Sequence, residues 1–207
     1  MVRYIVFDFD GTIADTYHEV KRAVKELRDE ESKEVDFGKI RDRGLVHLLS
    51  EAEIPLWRIP NFSFAILNAL KRKRPIDPFP GVVSELHVLR ERYAMGLVSS
   101  NSRKNIQGFL AKHELENLFS FIRSDSALFG KHRVLRKLSQ ELAIPPREMI
   151  YIGDENRDII AARKAGFISG AVSWGYNSES RLRKEAPDLL IHAPHELADS
   201  ITAFIEK

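Results

Sequence analysis

Short, unbroken apolar runs recur along this 207-residue chain: YIVF at 4–7, MGLV at 95–98, MIYI at 149–152, LLI at 189–191, and a weaker GAV at 170–172. None is long enough to be a helix, and none alternates with polar residues. Strands of that composition need cover on both faces, which is the condition of a parallel sheet flanked by helices. Helical patterns lie between the runs. Leu86, Leu89 and Tyr93 fall at spacings of zero, three and seven, as do Leu135, Leu138 and Leu142, and Ile106, Phe109 and Leu110 share one helical face. Strands alternating with helices predict a doubly wound, Rossmann-like α/β sheet. With 43% hydrophobic and 30% charged residues the chain can bury an ordinary globular core.

Residues 15–80 break the rhythm. Val20, Ala23, Val24 and Leu27 form one amphipathic stripe, and more helical material follows around 38–52 and 61–73. The turn-rich P-I-D-P-F-P-G at 75–81 returns the chain to the sheet. The segment carries 13 basic and 12 acidic side chains, so it is no charged tail. The expected organisation is an α/β core over 1–14 and 81–207 with an α-helical domain over 15–80 inserted into it.

Charge and composition remove several classes of function. Lysine and arginine number 32 against 30 aspartates and glutamates, a formal +2, so nothing electrostatic favours nucleic acid or an anionic membrane as a partner. Cysteine is absent, which excludes disulfide, zinc-thiolate and thiol-nucleophile chemistry. Asp8 and Asp10 interrupt the first apolar run where an export signal would continue, and no segment approaches the roughly 20 apolar residues of a bilayer span. The expectation is a cytoplasmic protein, monomeric or weakly dimeric.

In open α/β sheets ligands bind beyond the carboxyl ends of the strands, so the polar residues that end each run should converge. Strand one delivers Asp8, Asp10, Gly11 and Thr12; the second run delivers Ser99, Ser100 and Asn101; MIYI delivers Gly153, Asp154 and then Asp158. Lys131, in F-G-K-H, opens the helix before that strand. Converging carboxylates repel one another and call for a cation, and an all-oxygen donor set favours Mg²⁺ over zinc. A hydroxyl and an ammonium beside it suit the oxygens of a transferring phosphoryl group. Two acids at the first strand can then divide the work: Asp8 as nucleophile forming an aspartyl phosphate, and Asp10 as the proton shuttle.

D-F-D-G-T-I-A-D-T, S-S-N after a strand, the lone Lys131 and G-D-E-N-R-D together resemble the four ordered motifs of the haloacid dehalogenase superfamily, over nearly the whole chain. The resemblance implies a helical cap after the first motif and an Mg²⁺-dependent phosphatase acting on a small phosphate ester. It makes Asp8 the nucleophile and Asp10 the acid/base, which also offers its backbone carbonyl to the metal. Ser99 and Lys131 bind the phosphoryl group, with Gly11, Thr12, Ser100 and Asn101 around it. Asp154 ligates the metal, and Asp158 is a further or water-mediated ligand. Haloacid dehalogenases lack an acid two residues after the nucleophile, so Asp10 argues against dehalogenation. A sugar phosphomutase is the alternative. Asp15 and Thr16 suit it, but Val20 stands where those enzymes usually carry histidine. A receiver-like signalling module is a remoter alternative, since receivers lack an inserted helical domain. The branch most resembled is the phosphoglycolate-phosphatase-like one, through P-F-P-G at 78–81 and V-S-W-G-Y-N at 172–177.

Other features have plainer readings. Ser100 and Asn101 can cap the helix that begins near Arg103. Asp158 can be an early-helix acid favoured by the helix dipole. Arg41, Arg43 and Arg58 belong to the insert, where one of them can grip a substrate anion; Arg43, in the loop-like R-D-R-G, is the preferred candidate and a solvated face the bland reading of each. K-R-K-R at 71–74 ends a helix before Pro75, and His192 and His195 lack metal-ligand spacing with a third group. Trp57 suits the core of the insert, and Trp174, after a strand's carboxyl end, can wall the site.

Overall fold

The computed structural model describes residues 2–17, 41, 76–124 and 130–207, and helices are numbered within these. Six strands form one sheet: β1 (Tyr4–Phe7), β2 (Ala94–Val98), β3 (Ile122–Arg123), β4 (Met149–Gly153), β5 (Ile168–Val172) and β6 (Leu189–Ile191). Every pairing is parallel, in the order β3-β2-β1-β4-β5-β6. The helices are α1 (Val82–Arg90), α2 (Arg103–Lys112), α3 (Lys131–Leu142), α4 (Asn156–Ala165), α5 (Glu179–Lys184) and α6 (Leu197–Ile205).

Alternation within β1 shows why its run has no polar residue. Ile5 and Phe7, with Phe9 beyond them, pack into one core with Leu86 and Leu89 of α1, Ile106 of α2 and Ile201 of α6. Tyr4 and Val6 face the other way, against Leu135 and Leu138 of α3 and Ala161 and Ala162 of α4. A central strand covered on both faces buries every side chain it has, and all four residues of β1 are buried.

The order also fixes where a site can form. The chain builds β1, β2 and β3 outward in one direction, then crosses back to place β4 on the other side of β1. Loops leaving β1 and β4 therefore diverge at the topological switch point and leave a crevice between them. The amide of Asp8 donates to the Ile152 carbonyl at 2.8 Å, carrying the ladder one residue past β1 into that crevice.

The structure adds to the sequence reading at two strands. β3 was not expected, and β5 begins at Ile168, two residues before the GAV run that Ser169 cuts short in the sequence. Ser169 is nonetheless buried, its amide and hydroxyl both donating to Asp188 Oδ2 at 2.8 and 2.6 Å. Ala14 and Pro78 form an antiparallel bridge, Asp15 N donates to Asp77 O at 2.9 Å, and Phe79 N donates to Ile13 O at 3.0 Å. Arg43, Arg58, Trp57, Val20 and the run at 71–74 lie outside the described residues.

Candidate active site

Asp8 is buried at the end of β1, and Asp154 follows β4 beside it. Asp8 Oδ1 accepts the Phe9 amide at 2.8 Å. Gly11 turns the chain with φ 77°, in the left-handed region, and a side chain there would collide with the Asp154 carboxylate. The turn brings Thr12 back, and its hydroxyl donates to Asp154 Oδ1 at 3.0 Å. Gly153 has the same kind of requirement, because a Cβ there would press on Asp158.

Lys131, the first residue of α3, is buried between two carboxylates: Nζ lies 2.8 Å from Asp8 Oδ2 and 2.6 Å from Asp158 Oδ1. It also stands 5.3 Å from the centre of the Tyr151 ring. Asp158 serves two masters, since its other oxygen accepts the Glu155 amide at 3.1 Å in a capping box at the start of α4. Asp158 is thus an acid of the first turn of α4, as its plain reading has it, and also a partner of Lys131. Asp8, Asp154 and Asp158 each present an oxygen within 4.8 Å of the others. Three buried carboxylates against one ammonium leave room for a cation, and an all-oxygen set suits a hard one.

Asp10 is held apart from this group. Both of its oxygens accept the Asn101 side-chain amide at 3.0 Å, and the Thr16 side chain bonds it as well. The amide cannot turn away, because Asn101 Oδ1 is taken by Ser102 N at 2.7 Å and Asn105 Nδ2 at 2.9 Å. Asn101 therefore points at an acid rather than capping α2; the cap is Ser102, whose hydroxyl accepts Asn105 N at 3.2 Å. Ser99 is fully buried and its hydroxyl accepts the Asn101 amide at 3.1 Å, while Ser100 is exposed at the rim.

A second loop, residues 173–177, was not singled out for chemistry beyond Trp174. Tyr176 N donates to Asp154 Oδ2 at 2.7 Å, and Gly175 packs so closely on Asp154 and Gly11 that a Cβ would overlap both. Trp174 Nε1 donates to the Thr12 carbonyl at 3.1 Å, so this residue braces the first loop. Arg41, given a solvated face or a substrate anion from the sequence, instead bonds the carbonyl of Ser173. The available signal was the G-Y-N that follows β5. His192 lies at the surface, 3.0 Å from exposed Glu179.

Electrostatics follow from burial. Desolvation raises Asp8 above the ordinary carboxylate range, partly countered by Lys131, and raises Asp154 further, with Glu155 and Asp158 adding to it. Burial, then Asp8, pushes Asp10 to about 6; burial pushes Glu155 to about 7. Burial alone would lower Lys131, but Asp158 and Asp8 together outweigh it and hold the ammonium charged. The sign for stability is fixed by these directions. A carboxyl with a raised folded pKa keeps a proton that the unfolded chain has lost, so the metal-free fold loses stability as pH climbs from about 4 to about 7. A bound divalent cation replaces those protons. At ten times its dissociation constant it should add about 1.4 kcal/mol, roughly 3–6 °C in melting temperature for a chain of this size. That gain should be larger near pH 8 than near pH 5 in paired thermal scans with and without the cation.

Comparison with known proteins bears on the family. The haloacid dehalogenase-like hydrolase family matches residues 5–172. A phosphoglycolate phosphatase of Synechococcus elongatus is 32% identical over 98% of this chain and 99% of its own length. The pyrophosphatase PpaX of Oceanobacillus iheyensis is 25% identical over 97% and 96%. Among solved structures, a haloacid dehalogenase-like protein of Streptococcus pneumoniae superposes with a TM-score of 0.80 at 23% identity, covering 99% of this chain and 98% of that one. An α/β sheet with its acids at the β1/β4 switch point, and a family match over most of its length, make this chain a haloacid dehalogenase-like hydrolase.

Proposed function

We propose that the protein is a phosphomonoester hydrolase that passes the phosphoryl group of a small organophosphate through Asp8 to water, with Mg²⁺ held by Asp8, Asp154 and Asp158 and by the backbone carbonyl of Asp10. The observation that carries this reading is the division of the two acids on β1. Asp8 lies buried against Lys131 with Asp154 alongside, while Asp10, two residues on, is turned aside and held by Asn101. When bound, the ion offsets the repulsion between the carboxylates and an incoming phosphate.

The protein's own groups do the rest. An oxygen of Asp8 attacks phosphorus; that O–P bond forms as the ester P–O bond breaks, and Asp10 gives its proton to the departing oxygen. A water then attacks the same phosphorus and yields a proton to Asp10, the Asp8–phosphorus bond breaks, and inorganic phosphate leaves. Lys131 and Ser99 hold the phosphoryl oxygens, helped by the N-terminus of α2. Arg43 is our choice within the insert for gripping the remainder of the substrate. We also read the protein as cytoplasmic and as a monomer or weak homodimer, the latter testable by sedimentation at assay concentrations.

The Synechococcus relative supports phosphoglycolate as the first substrate to try. The test is Mg²⁺-dependent phosphate release from phosphoglycolate, sugar phosphates, nucleotides and p-nitrophenyl phosphate, compared by kcat/KM. Phosphate release that follows Mg²⁺ supports hydrolysis; an isomerised sugar phosphate without free phosphate supports the mutase alternative. Asp10→Asn should lower kcat by about 10²–10⁴ on alkyl phosphates, whose leaving oxygen needs a proton. The loss in kcat/KM, which reports only the steps up to the phosphoenzyme, should be much smaller on p-nitrophenyl phosphate, whose leaving group needs no proton.

A further inference from the structure

Arg41 comes from the inserted stretch, yet its described contacts are all with the core or the first linker. Its Nη2 donates to the carbonyl of Ser173 and, at 3.4 Å, to that of Asn177. Its own carbonyl accepts the amide of Ser178 at 3.0 Å. The guanidinium carbon stands 5.9 Å from the centre of the Tyr17 ring. Ser173 and Asn177 are the two ends of the loop that confines Asp154, with Tyr176 N on its Oδ2 at 2.7 Å and Asn177 N on its backbone carbonyl at 3.3 Å. The ring of Tyr17 also meets that of Tyr176 edge-on at 5.5 Å, and the Tyr176 hydroxyl reaches Thr16 at 2.9 Å, the residue that bonds Asp10.

One side chain thus spans both ends of the loop behind Asp154 and, through two rings that meet edge-on, connects to the support of Asp10. A planar guanidinium donating to two carbonyls fixes their separation in a way a single donor cannot. We propose that Arg41 is a positioning residue: by clamping Ser173 and Asn177 it sets the Tyr176 amide on Asp154 and so tunes the affinity of the site for its divalent cation. The proposal rests on the reading of Asp154 as a metal ligand. Groups that orient a metal ligand typically change metal affinity by 10- to 100-fold when removed, although they never touch the ion.

The test is calorimetric titration of Mg²⁺ into metal-free wild type, Arg41→Met and Arg41→Lys, with KM for the preferred phosphate ester measured separately at saturating Mg²⁺. The Mg²⁺ dissociation constant should rise about 10-fold or more in Arg41→Met. Arg41→Lys, which keeps the charge and N–H donors but not the planar guanidinium, should recover part of that loss, and KM should stay near wild type in both. If Arg41→Met does not fold, Arg41→Gln takes its place with a rise of the same sign expected. An unchanged Mg²⁺ constant in a folded variant, or a raised KM with Mg²⁺ binding intact, overturns the clamp alone. A wild-type protein that binds no Mg²⁺ overturns the metal reading and the clamp together.

Discussion

Replacing Asp8 by Asn should abolish turnover, lowering kcat by a factor on the order of 10⁴–10⁶, the range seen when a covalent nucleophile is removed. The amide has nearly the shape of the carboxylate, but its single oxygen can accept from the Phe9 amide or from Lys131 and not from both, and it cannot form a stable bond to phosphorus. The fold should survive. Asp8 is buried and its charged form is disfavoured there, so removing one of three crowded carboxylates relieves repulsion in the metal-free protein. The melting temperature without metal should therefore stay within a few degrees of wild type, while stabilisation by Mg²⁺ shrinks. A variant that turns over at the wild-type rate would exclude Asp8 as carrier. One that loses activity only by unfolding would show in the melting curve.

Lys131→Met should damage both stability and rate. The ammonium is 5% exposed and its two partners 6% and 0%, so the pairs are shielded from solvent. Methionine keeps the aliphatic stem against Tyr151 but leaves two buried carboxylates beside a third with no ammonium among them. Removing one member of a buried ionic group costs about 3–5 kcal/mol, or roughly 6–20 °C for a chain of this size. The sign of its pH dependence follows from Asp8, whose raised pKa climbs further once Lys131 no longer lowers it. Protonation relieves the repulsion, so the deficit should be largest near pH 8 and shrink toward pH 5. Loss of one charged contact to the phosphoryl oxygens should lower kcat by a further 10²–10³, approximately, when the folded variant is assayed with saturating Mg²⁺. A melting temperature and rate equal to wild type would remove Lys131 from the network.

The core was legible where burial on both faces forced a run without polar residues, as in β1 and β4. It was not legible at β3, whose two residues include exposed Arg123, or at the start of β5, where Ser169 is bonded by Asp188 at a separation of 19 residues. The acids were legible because they directly follow strands that meet at the switch point. The sheet order that makes them meet could not be read, since the crossover from β3 to β4 leaves no local signal. Tyr176 was missed for a different reason: it holds Asp154 through its backbone amide, which any residue but proline supplies. The glycine before it, required because a Cβ would strike Asp154 and Gly11, carries a residue-specific trace of the site. Asn101 was placed correctly at the strand's end, but its grip on Asp10 spans 91 residues and belongs to tertiary structure.

Borohydride quenching during turnover tests the central claim most directly, because it reduces an acyl phosphate to an alcohol but leaves free carboxylates intact. Wild-type protein quenched with substrate and Mg²⁺, digested and sequenced by mass spectrometry should carry homoserine at position 8 and nowhere else, and none without substrate. Phosphate released at full rate with Asp8 unmodified, or homoserine at position 10, 154 or 158 instead, would contradict a phosphoryl group carried by Asp8.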